Sequence, residues 1–337
     1  MKLDSGLNAG SLAAVPKAAR EAEAMGFDCL WTAETSHDPF FPLVLAAEHT
    51  ERVKLGTSIA VAFPRTPMVL AQVAWDLQKL SGGRFILGLG TQVKGHNERR
   101  LGVRWEHPGP KLREMILCMR AIWDCWQHNT QPSFKGSFYN FSLMTPFFNP
   151  GPIEHPDVPI YIAGVNEYMC RLAGELCHGF HVHPFHSLKY LHETILPNVK
   201  IGAQKAQRDA AACALSTTAF VIASNNAEEI EAAKAPVRQQ ISFYASTRTY
   251  IGVLEAHGWG DTCYRLNEKA AKGDWAGMAD EITDEMLEVF ALTALWKDVA
   301  GEIKKKYDGI LERVGFYFPY SGSDAGLWRD IVRSFNG

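Results

Sequence analysis

The 337-residue sequence predicts a (β/α)8 TIM barrel, and three observations carry that expectation. Strand-like runs alternate with helix-like runs from end to end, the strand-like runs number eight, and no shift in composition marks a linker. Eight βα units are the count that closes a barrel, whereas a doubly wound open sheet more often stops at about five to seven strands. Such a barrel needs about 250 residues. The rest is expected in insertions after strands four and seven, about residues 129–158 and 245–295, within one domain spanning 1–337.

Each element has its own warrant. Residues 2–8 read as the first strand, and the helix after it places Pro16 in its first turn and Gly26 just past its end. Strand two is expected at 27–33, a helix at 41–51 and strand three at 53–61. Thr66 can then accept from first-turn amides, Pro67 suits the first helical position, and Leu70, Val73, Ala74 and Leu77 recur at helical spacing until Gly82. Strand four is expected at 84–91, followed by a long helix striped by Leu112, Met115, Ile116, Met119, Trp123 and Trp126. Prolines and aromatics break the rhythm over 129–158, which reads as an insertion with a hairpin of its own. Pattern resumes with strands at 159–164, 178–183 and 215–224, separated by helices at 166–177 and 187 to about 208. A mostly helical stretch fills 227–311, broken at Pro236 and around Gly258, and a last strand at 313–319 precedes a helix at 324–335. No repeat of solenoid length is present.

Composition narrows the function classes. At 47% hydrophobic the chain can bury a large core, and a net charge of −3 without long runs of either sign disfavours nucleic acid and anionic membrane as partners. The start, MKLDSGLNAG, lacks a charged segment followed by an apolar run, and no stretch approaches the roughly 18 apolar residues of a spanning helix. A cytoplasmic protein is expected. Seven cysteines without a Cys-x-x-Cys argue against a disulfide framework or zinc ribbon and read as buried thiols, with Cys118 and Cys125, and Cys170 and Cys177, on apolar helix faces.

Barrel chemistry gathers at the C-terminal ends of strands, so those ends nominate the site. In LSGGRFILGLGTQ, residues 80–92, Gly88 and Gly90 stand two apart on one face of a strand. That pattern marks either a tight bend or a flat ring or phosphate lying against bare peptide, with Thr91 and Gln92 as polar contacts. In AGVNEY, residues 163–168, Gly164 closes a strand and Asn166 can start a helix, so the amides around Val165 and Asn166 would greet an anion; a plain strand-to-helix joint would look the same. In HGFHVHPFH, His181 and His183 share a strand face, but no third ligand accompanies them and no metal is expected. His183 is expected to line the pocket, with His178 and His186 in core or surface hydrogen bonds. Tyr320 on the last strand is a candidate to enter the pocket, and Trp105, Phe147 and Phe148 in insertions are candidates to roof it. The loop ETSHDPF holds Glu34 and His37, and an imidazole whose pKa lies near working pH suits proton transfer, although a lone loop histidine is more often solvated than catalytic. A glycosidase would want two carboxylates at strand ends, and only Glu34 is so placed.

Three segments together, LGTSIAVAFPRTP, SGGRFILGLGTQ and PIYIAGVNEYMCRLAGELCHGFHVHPF, resemble the bacterial luciferase-like monooxygenase superfamily, most nearly its branch using the deazaflavin coenzyme F420. The likeness extends over essentially the whole chain. It implies hydride transfer between coenzyme F420 and a small organic substrate, an alcohol or carbonyl or an activated alkene. The alternatives are an FMN-dependent monooxygenase fed by a flavin reductase, or a cofactor-binding protein without catalysis. By that resemblance the third strand ends in a cis peptide, here Ser58–Ile59, the ring lies beside Gly88, Gly90, Thr91 and Gln92, and the phosphate sits at Gly164, Val165 and Asn166. His183 would stand near cofactor or substrate, and Glu34 and His37 would match an acidic residue and histidine that the family keeps adjacent, here three apart. Family members commonly form homodimers through barrel helices, which is the expectation for this chain.

Overall fold

The computed structural model describes residues 1–7, 10–320 and 324–336, and its centre is a closed barrel of eight parallel strands. They are Lys2–Gly6, Cys29–Thr32, Lys54–Thr57, Phe85–Gly90, Ile160–Gly164, Gly179–Val182, Ala214–Ser224 and Arg313–Phe316. Each pairs with its sequence neighbours, and the first pairs with the eighth to close the ring. The expected alternation is present, with flanking helices such as Val15–Met25, Phe40–His49, Pro67–Leu80, Pro108–His128 and Glu167–Leu176. Local chemistry sets their ends as the sequence suggests: Thr66 accepts from the Val69 amide at 3.3 Å, and Gly26 takes φ 100°.

Two departures matter. Residues 291–295, expected within a helical stretch, form an added strand, Ala291–Leu295, on the extended second half of strand seven. Five apolar residues cannot be told from a helix turn by periodicity, and the partner edge decides. Strand three is also interrupted. It pairs Leu55 and Gly56 with Phe85 and Ile86, then resumes as Ala60–Val61 opposite Leu89 and Gly90. Thr57, Ser58 and Ile59 therefore oppose only Leu87 and Gly88, which is a bulge, and within it the Ser58–Ile59 peptide is cis. The insertion after strand four carries the hairpin expected of it, Phe134–Lys135 against Asn140–Phe141.

The apolar core lies between barrel and helices, where Leu30, Leu55, Leu87, Ile160, Phe180 and Leu215 meet the helix faces. All seven cysteines are free and buried. Inside the barrel the filling is aromatic and charged. Arg313 donates to both carboxylate oxygens of Asp4 (2.8 and 2.7 Å), the Trp31 indole adds a third donor at 2.8 Å, and Tyr161 and His181 pack on Trp31. These large rings fit because the adjacent strand carries glycine at the paired position. A Cβ at Gly56 would lie 2.3 Å from the Trp31 ring, and one at Gly179 would lie 2.3 Å from Tyr161. Among the described residues no helix is long and apolar enough to cross a membrane.

Candidate active site

The strand ends gather Glu34 and His37 after strand two, Ser58 and Ile59 after strand three, Thr91 and Gln92 after strand four, Gly164 to Asn166 after strand five, and His183 after strand six. The bulge is the central feature. Ser58 and Ile59 are half-buried at the mouth, the Ser58 amide donates to the Thr32 carbonyl at 2.7 Å, and the Ile59 carbonyl accepts from Glu34 N–H at 3.1 Å.

The bare face expected at Gly88 and Gly90 is corrected by the structure. Both residues are buried under protein, not open to a ring. A Cβ at Gly88 would sit 1.7 Å from the Thr57 carbonyl oxygen, and one at Gly90 would sit 2.7 Å from Ile59 Cδ1. The glycines let the bulge of strand three lean onto strand four, so the surface facing the mouth is Ser58 and Ile59, one layer nearer than the glycine backbone. Thr91 and Gln92 are half-buried, but their side chains serve their own loop: Gln92, at φ 58°, accepts the Val93 amide at 3.0 Å, and Thr91 donates to the Gln92 carbonyl at 3.2 Å. Buried Asn97, which the sequence did not single out, holds this turn by donating to the carbonyls of Thr91 (2.9 Å) and Val93 (3.1 Å).

Glu34 is not a free base. Its carboxylate accepts from Val61 N–H at 2.7 Å and from Arg65 at 2.8 Å, and Arg65 reaches on to Asp38 at 2.7 Å. Burial works against the Arg65 charge, but the two carboxylates outweigh it and hold the guanidinium protonated. Arg65 is thus the clamp between the strand-two loop and the bulge, and sequence reasoning missed it because its partners lie 27 and 31 residues away. His37 is exposed in that clamped loop and has no hydrogen bond to any described residue. Arg100 ties the same loop down by donating to the Thr35 carbonyl at 3.0 Å.

The joint after strand five has an open end. Asn166 is the N-cap of Glu167–Leu176, yet its exposed side chain makes no cap hydrogen bond, as is also true of Asp298 at Val299–Tyr307, whereas Thr66, Ser187, Asn226 and Thr283 cap theirs. The Met169 and Cys170 amides bond the Asn166 carbonyl, at 3.1 and 3.3 Å, and those of Glu167 and Tyr168 are left to another acceptor. Glu167, whose charge would compete with an anion there, is drawn along the helix to Arg171 at 2.6 Å. Gly164 allows the turn to fold closely, since a Cβ would meet Met169 at 2.4 Å, and the Val165 carbonyl accepts from the Tyr190 hydroxyl at 3.1 Å.

The four histidines part company. His178 is exposed and accepts from Ile160 N–H at the start of strand five, at the other end of the barrel. His181 lies inside the barrel, and His186 is buried against the Tyr307 hydroxyl at 3.0 Å. His183 remains at the mouth between Tyr244 and Tyr250, each ring 4.6 Å away, with Nδ1 accepting from Phe185 N–H. Burial, with His186 adding to it, pushes His183 down to about 3, so its ring is neutral. Among the described residues no group of three His, Cys, Asp or Glu is placed to hold a metal.

The roof differs from expectation in two places. Phe147 and Phe148 are 89% and 68% exposed, and the adjoining Asn149 bonds Asn129, beyond the far end of helix Pro108–His128, so they do not cover the mouth. Tyr320 packs on Phe27 and Trp328, and Tyr317 takes the place foreseen for it, its hydroxyl 2.7 Å from that of Tyr244. Inward alternation from Arg313 through Gly315 to Tyr317 was the signal available for that residue. Trp105 does stand near the mouth, edge-on to Phe63 at 6.1 Å, where Phe63, Arg65, Glu106, Lys111 and Phe138 line a partly open cavity of about 280 Å³.

Comparison with known proteins agrees with this architecture. Residues 1–313 match the family model described as luciferase-like monooxygenase. The chain is 44% identical over 314 residues, covering 93% of itself and 92% of the relative, to an uncharacterised protein of Mycobacterium tuberculosis. It is 28% identical, over 90% of its length and 88% of the relative's, to 5,10-methylenetetrahydromethanopterin reductase of Archaeoglobus fulgidus. In three dimensions it resembles the coenzyme F420-dependent tetrahydromethanopterin reductase of Methanopyrus kandleri, with a TM-score of 0.79 at 19% identity over 99% of this chain and 97% of that one. With a family match over most of its length and the closed barrel on which it folds, the chain belongs to the luciferase-like monooxygenase family.

Proposed function

We propose that this protein, a flavin- or deazaflavin-dependent oxidoreductase by its family, uses coenzyme F420 to move a hydride to or from a small organic substrate. The observation that carries the reading is the uncapped first turn after strand five, two strands round the barrel from the bulge at Ser58 and Ile59 with strand four between them. A phosphorylated planar cofactor needs an anion site and a fixed wall, and the chain offers both. Support for the deazaflavin comes from the named reductases, one 28% identical over most of both chains and one sharing the fold with F420 in its description.

When bound, the coenzyme supplies a hydride acceptor or donor. The chain supplies the rest. Ser58 and Ile59 present a wall that Arg65, Glu34 and Val61 hold in place, so a ring resting there would keep one register with the substrate carbon. The amides at Val165, Asn166 and Glu167 would take the phosphate. His183, fixed and neutral between two tyrosines, stands at the end of strand six, and Phe63, edge-on to Trp105, lines the partly open cavity beside Arg65. His37, the imidazole left without a described partner in the clamped loop, would take or give the proton at the substrate oxygen. The protein is expected to act as a cytoplasmic homodimer, which light scattering would read.

The family's own description keeps an FMN monooxygenase as the second reading, and the displaced His37 keeps a cofactor-binding protein as the third. Fluorescence titration of the purified protein with F420 and with FMN separates them. Saturable F420 binding with turnover on alcohols, carbonyls or enones is the expected outcome. FMN binding without F420 binding overturns the proposal, and F420 binding without turnover leaves the third reading. His37→Ala should bind coenzyme as the parent does and lose at least about tenfold in turnover; undiminished turnover would remove His37 from the mechanism.

A further inference from the structure

One buried group is left without a close hydrogen-bond partner directly beneath the bulge. His181, on strand six, points into the barrel and is 6% exposed, and its Nδ1 lies 2.8 Å from the Ser216 hydroxyl on strand seven. Its ring is boxed by Trp31 and Tyr161, with centroids at 4.8 and 5.2 Å. Nε2 is buried and makes no hydrogen bond of close geometry, yet the Thr57 backbone is near enough to favour the ring's protonated form against the effect of burial. The point where a Gly88 Cβ would sit lies 2.9 Å from that nitrogen and 1.7 Å from the Thr57 carbonyl oxygen. Nε2 and the Thr57 carbonyl oxygen therefore both border the space, or window, that the missing side chain leaves. Thr57 is the first residue of the bulge.

We infer that His181 is a positioning residue: its Nε2–H holds the Thr57 carbonyl, directly or through one water in the Gly88 window, and so props the mouth-facing wall of strand three from below. The inference deepens the reading of that wall as the cofactor support and rests on it for its functional consequence, though not for its structural one. A carbonyl can only accept, so the ring proton must be on Nε2, and the Ser216 hydroxyl then donates to Nδ1. Burial, the main cause, pushes His181 down to about 3, which keeps the ring neutral and this tautomer in place at working pH. The arrangement spans the barrel from strand seven through strand six to strand three. It also explains why strand four carries glycine at 88, since any side chain there would close the window and strike the carbonyl.

Two substitutions separate the two nitrogens. His181→Gln places an amide donor near Nε2, whereas His181→Asn places one near Nδ1 and leaves the Thr57 carbonyl alone. Hydrogen exchange of the apoprotein reads the bulge without any coenzyme, through the Ser58, Val61 and Ala62 amides, bonded to Thr32, Glu34 and Gly90 respectively. His181→Asn should speed their exchange about tenfold while His181→Gln stays within about threefold of the parent. F420 affinity should follow the same order. Nitrogen-15 spectra of the parent protein, which need no variant to fold, should show a neutral ring protonated at Nε2. A ring protonated at Nδ1, or equal exchange in both variants, overturns the inference. Exchange that follows the expected order in a protein that binds no F420 upholds the prop and rejects the cofactor reading instead.

Discussion

Substituting alanine at Gly88 and at Gly90 should give two different failures, because the atoms in the way differ in kind. At residue 88 the new methyl would lie 1.7 Å from a backbone oxygen, which cannot move unless strand three leaves strand four. Overpacking of a core typically costs about 1–3 kcal/mol when side chains can adjust. Here none can, so the loss should be at least about 3 kcal/mol. A chain of this length has an unfolding entropy of about 0.7 kcal/mol/K, so the melting temperature should fall by about 4 °C or more. At residue 90 the obstacle is the end of the Ile59 side chain, 2.7 Å away, which can rotate toward the mouth. Gly90→Ala should therefore cost less than about 1.5 kcal/mol, about 2 °C, yet displace the wall on which the cofactor is proposed to rest. Differential scanning calorimetry with and without F420 separates the cases: Gly88→Ala lowers the melting temperature of the apoprotein, and Gly90→Ala loses most of the stabilisation that coenzyme adds. If Gly88→Ala melts with the parent, the packing of the Thr57 carbonyl into that space is wrong and the account of the bulge fails with it.

The remaining predictions concern charge. Arg313→Met leaves the Asp4 carboxylate buried inside the barrel with only the Trp31 donor, and urea unfolding should show a loss of about 3–5 kcal/mol, whereas Asp4→Asn with Arg313→Met together should recover a good part of it. Arg65→Met strands Glu34, whose side chain is 12% exposed, and should cost about 1–3 kcal/mol while loosening the loop that carries His37, visible as faster exchange at the Val61 amide. Acid should unfold the protein early. His181 and His186 are buried and neutral, with burial pushing them down from 6.5 to about 3 and about 4, so the unfolded chain takes up their protons first as pH falls. Their contribution is complete above about pH 6.5 and is lost below it, at about 1.4 kcal/mol per pH unit for each histidine. Asp4 works in the opposite direction, since burial lifts it to about 6. The urea midpoint measured from pH 7 to pH 4.5 should fall, and should fall less steeply in His186→Gln; a flat profile would mean that these rings are not held neutral.

The closed barrel was legible because its evidence is local and repeated: period-two strands, Thr66 with Pro67 at a helix start, and Gly26 at a helix end. What escaped was decided across the chain. The added strand at 291–295 exists only because strand seven runs on to Ser224 and offers an edge. Arg65 has no local signature, and its role appears only when Glu34 and Asp38 are brought to it from the preceding loop. Tyr320 and Tyr317 were both visible as aromatics, but which of them faces the mouth depends on where strand eight ends, at Phe316 and not at 319. The cis peptide at Ser58–Ile59 came from family resemblance alone, since nothing in the residues of that strand announces it.

The glycines show the limit most clearly. A sequence records where a side chain is missing and not what takes its place. Gly56 admits Trp31, Gly179 admits Tyr161, and Gly88 admits a carbonyl from the adjoining strand, so the same letter serves an indole, a phenol and a peptide group. In each case the occupant comes from a neighbouring strand, at the same level of the barrel. A glycine on an inward face is therefore first a statement about its neighbours' bulk, and a ligand is the right occupant only when no neighbour can reach. At Gly88 and Gly90 strand three does reach, by putting three residues where two would fit. The vacancy in strand four is thus converted into a projection of strand three, and it is the shape of that projection, Ser58 and Ile59 held by Thr32, Glu34 and Arg65, that a cofactor would meet.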